Sequence, residues 1–163
     1  MRSSGEKTAP RKRGKGTQPP PRGRSQAQHA RPSATVKQYW LEAQRKSGQY
    51  PEHTDQGGKW LIFVPSSEID KVWQEIKLAV EAGKLGDNAK VSTAKPNPNS
   101  ADPTKHVICV YTYDATDIDD VMRIRQQLRK LGIVLKIPYK TDNATIGGRY
   151  EKNGHKHISQ FYE

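Results

Sequence analysis

His106-Val107-Ile108-Cys109-Val110-Tyr111-Thr112-Tyr113 is an unbroken run of β-branched, aromatic and small residues, and Thr116-Asp117-Ile118-Asp119-Asp120 follows almost at once. The first stretch reads as a strand, apolar enough on both faces to lie centrally in a sheet. The second reads as the start of a helix. Thr116 is the expected cap, Asp117, Asp119 and Asp120 favour its positive end, Arg125, Arg129 and Lys130 favour the other, and Gly132 ends it. Its expected core face is Ile118, Val121, Met122, Leu128 and Leu131.

Upstream, residues 59–64 form a short apolar run between Gly57-Gly58 and Pro65, the signature of a buried strand. Ser67 and Asp70 have capping-box spacing, and Ile69, Val72, Trp73, Ile76 and Val80 then repeat with helical period until Gly83 or Gly86. Residues 89–93 read as a short strand and 95–105, rich in proline and asparagine, as a loop. Nearer the start, Thr35 is the expected cap of a helix with Val36, Tyr39, Trp40 and Ala43 on one face, ending at Ser47-Gly48.

Downstream, residues 133–140 read as a strand in which Pro138 removes a ladder donor, so an edge or a bulge is expected. Asn153-Gly154 predicts a hairpin between 149–152 and 155–158. The expected order is helix, strand, helix, strand, strand, helix, strand, hairpin. This is an α+β fold: a curved, mostly antiparallel sheet with two or three helices on one face and the other face left available.

The 163 residues carry 28 Lys/Arg and 17 Asp/Glu, a formal charge of +11. Residues 1–37 hold ten of the cations against one acid, Glu6, so the remainder is only +2. Gly, Pro, Ser, Gln and Arg dominate the start and offer nothing to bury, which predicts a disordered cationic tail over 1–34 and one domain over 35–163. Arg11, Lys12, Arg13 and Lys15, then Arg22 and Arg24, form basic clusters suited to binding RNA or DNA by counterion release, without reading sequence. Cys109 is the one cysteine, so no disulfide framework exists and a reducing compartment is expected, cytoplasmic or, in a eukaryote, nuclear. No apolar run is long enough for a membrane span.

Trp60-Leu61-Ile62, the helix around Trp73, the strand 107–113, and Tyr139-Lys140-Thr141-Asp142 with Gly147-Gly148-Arg149-Tyr150 are the residues through which the chain, from about Gly57 to Glu163, resembles the family typified by basophilic-leukaemia-expressed protein. That resemblance implies a fold like the cap-binding translation initiation factors, although Trp40, Trp60 and Trp73 do not match the two tryptophans that sandwich a base there. Some bacterial relatives are labelled phosphothreonine lyases. The label implies a β-elimination with a base, a cation or acid at the leaving group and a phosphate clamp, parts for which Lys90 or Lys140, His106 and Arg149 are the candidates.

The residue chemistry itself points to phosphate. Lys140, Thr141, Arg149 and Tyr150 offer two cations and two hydroxyls around Gly147-Gly148, and Lys90, Ser92 and Thr93 join them if their strand lies beside the C-terminal one. Tyr111, Tyr113 and Tyr139 are candidates for stacking bases, against ordinary packing. His155 and His157 share a strand face but lack partners for a metal, so neither metal nor cofactor is expected. The expected function is a binding module for phosphate-bearing ligands, nucleic acid in particular, with the tail adding non-specific affinity. A phospho-substrate lyase and a protein adaptor using Pro19-Pro20-Pro21 are the alternatives.

Overall fold

A computed structural model of the chain describes residues 30–142 and 161–163. A 3-10 turn, Pro32–Ala34, precedes β1 (Trp40–Gln44), β2 (Gly58–Pro65), α1 (Ile69–Glu81), β3 (Asn88–Ser92), β4 (Lys105–Thr112), α2 (Ile118–Lys130), β5 (Pro138–Thr141) and β6 (Phe161–Tyr162). The six strands form one curved, unclosed sheet in the order β1-β3-β4-β2-β5-β6, with every pairing antiparallel. β4 is central, as its two apolar faces predict, and pairs with β2 along eight residues from Gly58↔Thr112 to Pro65↔Lys105.

Strand alternation divides the molecule. Gly58, Trp60, Ile62 and Val64 of β2, Ala89 and Val91 of β3, and Ile108, Val110 and Thr112 of β4 turn toward the helices, where Ile69, Trp73, Ile76, Val121, Ile124 and Leu128 complete the core. Two glycines set the entrance to β2 because aromatic rings occupy the space of a side chain. A Cβ on Gly57 would lie 1.9 Å from His53 Nε2, and one on Gly58 2.2 Å from the Tyr139 hydroxyl.

Several elements depart from their sequence reading. The helix expected from Thr35 is a strand: Leu41 and Ala43 point inward, Glu42 and Gln44 outward, and β1 finds all its backbone partners on β3. Val36 and Tyr39, expected on the buried face, are exposed. The capping box is absent, because Asp70 instead accepts from the Ser33 amide (2.9 Å) and hydroxyl (2.5 Å) and ties the 3-10 turn to α1. At α2 the cap is Asp117, not Thr116: its carboxylate accepts from the Asp120 amide at 3.1 Å.

The α2 core stripe is Val121, Ile124, Arg125 and Leu128, with Ile118 left exposed. The expected strand 133–140 shrinks to β5, because the carbonyls of Ile133 and Leu135 are taken by the Arg125 guanidinium, both at 2.8 Å. The predicted hairpin and residues 1–29 of the tail lie outside the described residues, whereas residues 30–34, expected in the tail, are described: Pro32 is buried in the 3-10 turn and Ser33 is tied to α1.

Candidate functional site: the open face of the sheet

The face turned away from the helices is assembled by the same alternation. β2 contributes Lys59, Leu61 and Phe63; β3 contributes Asn88, Lys90 and Ser92; β4 contributes Val107, Cys109 and Tyr111. Register then brings cations together. Lys59 pairs with Lys140 on one side and with Tyr111 on the other, while Lys90 pairs with Cys109. Neighbouring strands lie about 4.8 Å apart, so Lys59 and Lys140 are adjacent, and Lys90, two strands across and two residues along from Lys59, is about 12 Å from it.

Aromatic rings and one carboxylate order two of these cations, Lys59 and Lys90. Lys90 Nζ lies 4.1 Å from the centre of the Trp40 ring and 5.9 Å from that of Tyr111, and Lys59 Nζ lies 5.7 Å from the Tyr111 ring. The Asp142 carboxylate, just beyond β5, accepts from Lys59 Nζ at 3.2 Å and from His53 Nε2 at 2.7 Å. Burial pushes the Cys109 thiol up, an effect opposed by Lys90, Lys59 and Lys140, which all act on it. Burial likewise raises the Tyr111 hydroxyl, which stays a neutral donor.

A cleft of about 260 Å³ opens at the end of this face, lined among others by Tyr50, His53, Asp87, Asn88, Tyr111 and Tyr113. Its walls are fixed from behind: the Tyr50 hydroxyl donates to Asp120 at 2.5 Å, Tyr113 donates to Asp117, and the two rings meet edge to face at 5.5 Å. The bond to Asp117 and burial push the Tyr113 hydroxyl up to about 12.

The residues singled out in the sequence are distributed unevenly. Lys90 and Lys140 share the open face, but β4 and β2 separate their strands, so the site spans the sheet instead of a single strand pair. Thr141 ends β5, opposite Gly58. His106 faces the opposite way, buried on the helix side with Nδ1 donating to the Ser92 carbonyl at 2.8 Å. Ser92 and Thr93 bind backbone: Ser92 Oγ accepts from the Val107 amide, and Thr93 Oγ1 donates to the Gln38 carbonyl. Tyr139 is fully buried against Trp60. Arg149, Tyr150, His155 and His157 lie outside the described residues. Among the described residues no His, Cys, Asp and Glu side chains group to hold a metal, and no helix is long and apolar enough to cross a membrane.

Lys59 was missed by sequence reasoning because it opens an apolar run and reads as a strand boundary. The signal that finds it is period two: Lys59, Leu61 and Phe63 must share the face opposite Trp60 and Ile62.

Residues 23–146, about three quarters of the chain, match the model of the family described as basophilic leukemia-expressed protein Bles03. The chain belongs to the Bles03 family. A schistosome eIF4E solved with m7GpppA and 4E-BP superposes on this Bles03-family chain with a TM-score of 0.50 at 13% identity, covering 67% of this chain. The match spans 60% of that protein. A Caenorhabditis elegans eIF4E-3 solved with the 4E-binding protein Mextli gives a TM-score of 0.46 at 24% identity, over 66% of this chain and 59% of that one. The likeness establishes an initiation-factor-like fold. Of the three tryptophans, Trp60 and Trp73 are core residues, so two indoles cannot close on a base here.

Proposed function

We propose that the open sheet face binds phosphate-bearing ligands, nucleotides or nucleic acid, through Lys59, Lys90 and Lys140. The observation that carries this reading is the register that gathers three lysines from three strands on one face around Cys109, two of them, Lys59 and Lys90, beside the Tyr111 ring, against the carboxylates of Asp142 and Glu42. Lys59 and Lys90, held by neighbouring rings over a low-dielectric floor, are pre-ordered point charges, which lowers the entropic cost of clamping phosphate oxygens. The nucleotide in the eIF4E complex is consistent with this reading. The basic clusters of the first 34 residues add polyanion affinity that is insensitive to sequence.

Isothermal titration with ATP tests the face. Lys59→Ala or Lys90→Ala should weaken binding by roughly tenfold each, as expected for losing a charge-assisted hydrogen bond. Unchanged affinity in both variants would contradict the proposal. The elimination chemistry draws no support from the geometry, since His106 and the lysines stand on opposite faces.

A further inference from the structure

The lysine face has an aromatic end that a mononucleotide leaves unused. Phe63 projects from β2 on the open side and is 57% exposed. It pairs with Val107, whose amide donates to Ser92 Oγ, and Ser92 pairs with Trp40, so Trp40, Ser92, Val107 and Phe63 form one row across four strands. One row further, exposed Lys105 stands opposite Pro65 on the same face. In the other direction along β2, Lys59 lies four residues from Phe63, about 13 Å at strand rise. Lys105 and Tyr111 are six residues apart on β4, about 20 Å. Cations therefore stand at both ends of a floor made of Leu61, Val107 and Phe63.

We infer that this face binds single-stranded nucleic acid several nucleotides long, with phosphates on Lys59, Lys90 and Lys105 and a base stacked on Phe63. The inference rests on the phosphate reading of the lysines and adds the length and strandedness of the ligand. A stacked strand advances about 3.4 Å per nucleotide and an extended one roughly twice that, so a ligand reaching from Lys59 to Phe63 has more than one phosphate. An exposed ring on a sheet offers a platform to any base whose face is free, and a duplex buries those faces in its own stack. The chemistry is tolerant of base identity, because every base has a π-face.

Two labelled oligoribonucleotides of equal length, one normal and one with abasic sugars throughout, separate the contributions in the full chain by fluorescence anisotropy. Both present the same phosphates to the lysines and to the tail. The wild-type chain should bind the base-bearing strand roughly tenfold more tightly, Phe63→Ala should abolish that preference without changing abasic affinity, and Phe63→Trp should restore it. Lys90→Ala should weaken both strands alike. A base preference absent from the wild type, or undiminished in Phe63→Ala while Lys90→Ala weakens both, overturns the stacking inference alone. Lysine variants that bind both strands as the wild type does would overturn the phosphate reading beneath it.

Discussion

Arg125 is fully buried on α2, and its guanidinium donates to three backbone carbonyls: Ile133 and Leu135 at 2.8 Å each and Glu163 at 3.1 Å. One side chain thereby fixes the turn before β5 and the strand end beside it. Replacing it with methionine keeps the apolar stem but strands those acceptors, so Arg125→Met should lower unfolding free energy by about 3 kcal/mol, measured by urea denaturation with an unchanged m-value. A loss under 1 kcal/mol, on the order of a single exposed hydrogen bond, would show that water replaces the guanidinium. The sequence points to Arg125 only as a cation near a helix end, because a charged residue is excluded from a core stripe drawn on hydropathy. The same charge bias hid Lys59, whereas Lys90 and Lys140 were legible because they flank polar, hydroxyl-rich stretches. Phe63 was read with the buried run 59–64, and only the packing of α1 and α2 on the opposite face of the sheet reveals that it faces out.

Elements that carry strong periodicity, β2, α1, β4 and α2, were legible in the sequence because local pattern and tertiary burial agree on them. β1 was not. Val36, Tyr39, Trp40 and Ala43 fit a helical stripe, but the free edge of β3 supplies a ladder that a helix there would leave unpaired. The anchoring of the preceding turn depends on one carboxylate. Asp70→Asn should cost about 1.5 kcal/mol by removing the charge from the pair of bonds to Ser33, with local protection of residues 31–35 in hydrogen exchange falling first.

The α2 start has a pH signature. Asp117 is held below the ordinary 3.8 chiefly by the bond from Tyr113, and Asp114 by the hydroxyl and amide of Thr116. A carboxylate depressed in the folded state binds fewer protons than in the unfolded chain. Its contribution is therefore fully present above about pH 4 and is lost as pH falls through the lowered folded value. Acid titration of the wild type should show α2 loosening below pH 4, and Asp117→Asn should make that part of the profile shallower. An identical acid profile in the variant would remove Asp117 from the account.

At the scale of the whole molecule, two charge systems lie on one chain: ten cations within residues 1–37 and the lysines of the open face. They differ in salt response. A chain beginning at Ala30, which keeps the buried Pro32 and the Ser33 tie to Asp70, should retain binding to single-stranded RNA with a salt slope reduced by several units, and Lys90→Ala in that background should reduce it by about one more. The face was available in the sequence only as a set of residues, because strand order is non-local and nothing in the chain announces that β2 inserts between β4 and β5. The most direct measurement is a backbone amide NMR titration of the full chain with a short single-stranded RNA. Shifts concentrated at Lys59, Phe63, Lys90, Cys109, Tyr111 and Lys140 are the predicted result. Shifts confined to α1, α2 or the first 34 residues, with those six unmoved, would contradict the claim that the open face is the binding surface.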